Sequence, residues 1–139
     1  MAKTFHAGIG YTDDATGAIV SSVSRTLFAD ATLAPTEAID STALDTSGLD
    51  QIVVIIKNGN TTLTRAPQLI FLNEAGTEVH RIAPTAIAAN TTVIYAIGLG
   101  ATATGVTAGY SFGPSPKFQV TAAAPASGTG NGYVAIWGR

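Results

Sequence analysis

The strongest hydrophobic pattern in the chain is Leu49-Asp50-Gln51-Ile52-Val53-Val54-Ile55-Ile56-Lys57, closed by Asn58-Gly59. Its five consecutive β-branched aliphatics are stiff at χ1 and crowd a helix, whereas they suit a pleated strand. A run this short, bounded by turn residues and lacking helical spacing, reads as a strand apolar on both faces. Such a strand belongs inside a sheet packed on something, and most of the later segments read as its partners. Residues 66–72 form a strand with Pro67 at the start, where a missing N–H costs least. Residues 73–77 make a tight connection with Gly76 available for positive φ, and residues 78–82 return as an alternating hairpin partner. Residues 91–97, 117–121 and 132–137 are further strands, and residues 18–23 and 25–29 are short β-prone runs ahead of the central one.

The intervening stretches are punctuation. Residues 1–17 read as an arm or loop, interrupted by Gly8, Gly10 and Gly17. Residues 30–48 carry Pro35 with scattered Asp, Ser and Thr; Thr36-Glu37-Ala38-Ile39 could open a helical turn, but no 3.6-residue period follows. Residues 98–114, rich in Gly, Ala and Thr, read as a long loop or flexible edge. Short strands at regular spacing without a helix predict an all-β fold: an antiparallel β-sandwich, jelly-roll-like, with an N-terminal arm (1–17) before a single sandwich domain (18–139). There is no internal repeat.

Length agrees with this plan, since 139 residues can bury roughly 70% of the unfolded chain's surface in one core. The chain has no cysteine, so neither disulfides nor thiolate metal ligands are available. The first eight residues lack a signal peptide's apolar region, and no apolar run reaches the ~20 residues of a membrane helix, so the expectation is a chain made and kept soluble inside a cell. Charged residues are only 12% of the chain, which leaves much neutral surface, suited either to burial against neighbours in an assembly or to the exterior of an uncharged sandwich. A net charge of −2 offers no long-range attraction to nucleic acid. The charges are unevenly placed. Asp13, Asp14, Asp30, Glu37, Asp40, Asp45 and Asp50 face only Lys3 and Arg25 in the first fifty residues, while Lys57, Arg65, Arg81, Lys117 and Arg139 face Glu74 and Glu78 afterwards. Opposite sections of this kind can attract one another within or between chains.

No stretch specifies a reaction. Gly109-Tyr110-Ser111-Phe112-Gly113 matches the nucleophile-elbow pattern, but Pro114-Ser115-Pro116 blocks the required helix, and both histidines precede Ser111. Gly98-Leu99-Gly100-Ala101-Thr102-Ala103 lacks the helix and the later acidic residue of a dinucleotide site. His6 with Asp13 and Asp14 lacks a second histidine and the calcium-loop spacing. His80 reads as an exposed or hydrogen-bonded strand residue, and Glu74 and Glu78 as turn solubilisers before a glycosidase pair. Asn60-Thr61-Thr62 and Asn90-Thr91-Thr92 are sequons that carry weight only in a secreted chain. Tyr133 and Trp137 share one face of the last strand and are expected in the core, with stacking on a sugar ring as the alternative. No catalytic, cofactor-binding or metal residue is expected.

Leu44-Asp45-Thr46-Ser47-Gly48-Leu49-Asp50 running into the aliphatic strand, with the final Gly132-Tyr133-Val134-Ala135-Ile136-Trp137-Gly138-Arg139, resembles small virion proteins of tailed bacteriophages. The nearest type is the β-sandwich head decoration, or cement, protein. The resemblance covers residues 44–139 and rests on motifs that also occur in tail, neck and fibre-associated proteins. It implies a non-enzymatic, cofactor-free protein on the virion capsid surface, made in the host bacterial cytoplasm. Copies would bind the major capsid protein as a homo-oligomer, commonly a trimer, without nucleic acid or membrane. A glycan- or receptor-binding sandwich, with Trp137, Tyr133 or Tyr110 as its stacking platform, is the alternative.

Overall fold

A computed structural model describes residues 3–6, 10–13, 19–20, 25–98, 106–110 and 115–138, with side-chain surroundings from Leu33 onward. It contains two packed sheets and a smaller one. Lys3–His6 (β1), Gly10–Asp13 (β2) and Ile19–Val20 (β3) form a three-stranded sheet of their own, so part of the expected arm is strand. Arg25–Leu33 (β4), Gln51–Asn58 (β7), Thr91–Gly98 (β10), Ala108–Tyr110 (β11) and Gly132–Gly138 (β13) form one large sheet in the order β11-β10-β7-β13-β4. Ile39–Asp40 (β5), Leu44–Asp45 (β6), Pro67–Leu72 (β8), Glu78–Ile82 (β9) and Lys117–Ala122 (β12) form the other, in the order β5-β12-β8-β9, with β6 also paired to β12. The protein is an all-β sandwich.

The aliphatic run is the middle strand of the first sheet, flanked antiparallel by β10 and β13. Strand alternation then sorts its side chains. Ile52, Val54 and Ile56 meet Val93, Tyr95, Ile97, Val134 and Ile136 on the inner face, against Leu69, Phe71, Phe118 and Val120 of the second sheet. Phe71 and Phe118 pack at 5.3 Å between ring centroids, tilted by 58°.

Two open readings are resolved. Residues 36–39 open no helix: Glu37 N–H bonds the Ala34 carbonyl in a turn, and Ile39 enters β5, where its buried side chain joins the core. Within the stretch read as a long loop or flexible edge, Ala108–Tyr110 forms an edge strand, pairing parallel with Tyr95–Ile97. Gly76 takes φ +82° in the β8–β9 turn, as its position suggested.

Strands β5 and β6 are one edge interrupted at Thr42, which has φ +58°. That conformation is unfavourable for a β-branched residue. Neighbouring groups hold it: Thr42 N–H donates to Asp40 Oδ1, and Ser41 Oγ donates to the Thr42 carbonyl while accepting Val120 N–H. The opposite edge, β9, is blunted by a register shift beside Leu72 and by the exposed Glu78–Arg81 pair.

Candidate functional site

The last strand departs from expectation in a way that bears on function. Val134 and Ile136 are its core residues, so Tyr133, Ala135 and Trp137 point away from the core. Register places them in rows across three strands: Ala96–Val53–Trp137, then Ile94–Ile55–Ala135, then Thr92–Lys57–Tyr133. The first two rows are wholly apolar. Ala96 and Ala135 are buried, whereas Val53, Ile55, Ile94 and Trp137 are half-buried. Placement of Trp137 and Tyr133 in the sandwich core is therefore corrected. The physical reason is that the central strand is apolar on both faces, and the β13 side chains follow it on both.

A second feature lies at the β10–β11 edge. There the segment from Pro84 to Ala88, crossing between the sheets, faces Val93, Tyr95, Thr107, Ala108 and Tyr110 across a cleft of about 300 Å³. Its walls are fixed by backbone bonds. Ile87 and Arg65 exchange bonds of 2.7 and 2.9 Å, and the Ile87 carbonyl also accepts Asn58 Nδ2 at 3.1 Å. On the facing side, Thr107 N–H donates to the Ile94 carbonyl at 2.8 Å, and Ile94 N–H donates to Thr107 Oγ1 at 3.0 Å.

Tyr95 is 2% exposed and its ring centroid is 6.4 Å from that of Tyr110. Burial, with a smaller contribution from Tyr110, pushes its phenol up to about 12. Burial also raises the Tyr110 phenol. Both hydroxyls stay protonated at neutral pH. Among the described residues no charged side chain lines the cleft.

Behind the cleft, two buried asparagines tie three loops together. Asn58 Nδ2 reaches the carbonyls of Leu63, Ile87 and Ala88, and Asn58 Oδ1 accepts Asn60 N–H. Asn60 Oδ1 accepts Thr62 N–H and Leu63 N–H, while its Nδ2 donates to the Ser127 carbonyl. Asn60, fully buried, has no room for a glycan. Arg65, 2% exposed, sends Nη1 to the Glu37 carbonyl at 2.7 Å. Desolvation lowers its guanidinium from the usual value, against a raising influence of Glu37. Its Nε has no hydrogen-bond partner among the described residues.

The other sequence candidates stay apart. His80 is exposed on β9, with its ring 5.9 Å from that of Phe71. Glu78 pairs with Arg81 at 2.6 Å, and that pairing holds its carboxyl below the usual range. Glu74 lends its backbone carbonyl to Lys117 Nζ. Gly109 and Tyr110 of the elbow-like motif lie in β11, and Ser111 to Gly113 lie outside the described residues, as do Leu99 to Ala103, Asp14 and the side chains of His6 and Asp13. Among the described residues no three His, Asp or Glu side chains gather as a metal site. Sequence reasoning missed Tyr95, Arg65, Asn58 and Asn60; only the Asn58-Gly59-Asn60 spacing marked that end of the fold, and as a turn.

A scan against protein-family models finds no match to the chain, and a search of curated proteins finds none either.

Proposed function

We propose that the chain is a structural virion protein: it attaches to the outside of a tailed-phage head and bridges major capsid protein subunits, acting as a homotrimer. The observation that carries this reading is the pair of apolar rows, Ala96–Val53–Trp137 and Ile94–Ile55–Ala135, on the face of the large sheet turned away from the core. A half-buried apolar sheet face gains stability when a neighbour completes its burial. The low charge content agrees, because few charges would need desolvation at such a contact.

The strand order adds support. Sheet neighbours β4-β13-β7-β10 face β5/β6-β12-β8-β9, and from β4 onward the chain crosses between the sheets at every step except β5–β6, β8–β9 and β10–β11. This order supports reading the sandwich as a jelly roll, an architecture used by viral capsid and lectin domains. Fold alone does not choose between those two uses.

The outward placement of Trp137 also favours a second reading, a glycan- or receptor-binding module of a tail or fibre, because an aromatic ring on a sheet face can stack on a sugar. Two measurements separate them. Native mass by analytical ultracentrifugation across concentrations should give a stable trimer for the attachment protein, whose threefold body closes through heterologous contacts. Saccharide selectivity on a glycan array, with a monomeric mass, would instead establish the second reading and overturn the first.

A further inference from the structure

The cleft at the β10–β11 edge has no part in attachment through the outer face. Its volume of about 300 Å³ admits one small organic molecule, and its lining is mostly apolar: Ile87, Val93, Ala108 and the Tyr110 ring, with no charged side chain among the described residues. Ile87 is 1% exposed and Val93 is 8% exposed, so the floor is core rather than open surface.

Of the hydroxyl-bearing residues that line the cleft, Tyr95 is the buried one. Tyr95 is 2% exposed, yet its hydroxyl makes no hydrogen bond among the described residues. Tyr95 itself lines the cleft. A buried phenol without a partner is costly, and a group that bonds to it recovers that cost. Two of the three threonine hydroxyls nearby are partly committed: Thr107 Oγ1 accepts Ile94 N–H, and Thr91 Oγ1 donates to the Ala89 carbonyl.

The geometry points to a binding site for a small neutral molecule, an apolar ring or short branched chain carrying one carbonyl or hydroxyl oxygen that meets the Tyr95 hydroxyl. Anions and cations are disfavoured, since no described side chain of the lining compensates a buried charge. Free sugars are disfavoured too, because several of their hydroxyls would be buried against a mostly apolar lining. The walls are set in advance by the Arg65–Ile87 bridge, the Asn58 bond and the Thr107–Ile94 bonds, so a ligand meets a formed site.

The test uses the full chain, with cyclohexanone as the neutral probe and benzoate and methyl α-glucoside as contrasts, followed by nuclear magnetic resonance titration. Cyclohexanone should give saturable shifts at Ile87, Val93, Tyr95 and Tyr110. Tyr95→Phe, which keeps the ring and hence the packing, should weaken that binding about tenfold, as loss of one buried hydrogen bond does. Ala108→Leu, on a half-buried wall, should block it while leaving the rest of the spectrum folded. Absence of saturable shifts, equal affinity in Tyr95→Phe, or tighter binding of benzoate or the glucoside would each overturn the assignment. None of these outcomes bears on attachment to a head.

Discussion

Trp137 stands opposite Val53 across the β13–β7 pair, on the face of the large sheet turned away from the core. Its neighbour Ile136, fully buried, faces inward against the second sheet. One strand thus contributes a core residue and an outward aromatic at adjacent positions.

The two positions should respond differently to truncation. Ile136→Ala removes core volume and is expected to lower stability by about 2–5 kcal/mol in urea unfolding. Trp137→Ala, although the larger deletion, should lower it by only about 1–2 kcal/mol because the indole is half-buried, while abolishing head attachment. Equal losses of stability would return Trp137 to the core.

Gly59 and Gly76 make a matched pair. A Cβ on Gly59 would fall on the backbone carbonyl of Asn131, where β13 begins, whereas a Cβ on Gly76 meets nothing within 4 Å. Gly59→Ala should therefore cost about 2–4 kcal/mol through displaced backbone, and Gly76→Ala about 1 kcal/mol through its left-handed φ alone. Thermal unfolding of both variants checks the order.

Asn58 places a donor among three carbonyls, which sets the sign of a pH effect. Asn58→Asp would put a carboxylate there, and both burial and the facing carbonyls would raise its folded pKa above the unfolded value. The folded variant then holds the proton more tightly, so its stability should recover as pH falls below neutrality and decline as pH rises. Asn58→Ala should be destabilised by about 2–3 kcal/mol with no comparable pH dependence. Denaturant midpoints across pH 4–8 (roughly the window in which a raised carboxyl titrates) distinguish the two.

Tyr95 makes an alkaline prediction for the native chain. Its folded phenol is raised to about 12, above the unfolded value of 10.0. The stabilisation linked to this proton is complete below the unfolded pKa and is lost as pH climbs through the folded one. Stability should fall between those limits, and Tyr95→Phe should flatten the decline; an unchanged slope in the variant contradicts the assignment.

If the acidic N-terminal section docks on a basic capsid patch, Asp13→Asn combined with Asp14→Asn should reduce head occupancy, most strongly at low salt. Occupancy that is unchanged at both low and high salt would exclude that contribution.

How much of this was legible depends on the kind of signal each residue leaves. The run from Ile52 to Ile56 announced a central strand because β-branching and apolarity agree there, and Gly76 announced its turn. The same run hid the sidedness of Trp137: alternation puts Tyr133 and Trp137 on one face, but beside a strand apolar on both faces it does not say which face is inside. Strand β11 left little trace, since Ala108-Gly109-Tyr110 has weak β preference and forms through parallel pairing with Tyr95–Ile97. Arg65 entered the sequence reading only as one of five later cations, and its burial follows from bonding to the carbonyls of Glu37 and Pro35, contacts 28 and 30 residues away. The cleft was illegible for the same reason: Tyr95 and Tyr110 lie on strands whose pairing is decided by tertiary packing.

The measurement that tests the central claim most directly is cosedimentation of the purified chain with expanded phage heads that lack it. The account predicts saturable binding at a fixed ratio to the major capsid protein, lost in Trp137→Ala although that variant remains folded. No pelleting with heads at any concentration, by a chain that is folded and trimeric in solution, would contradict it.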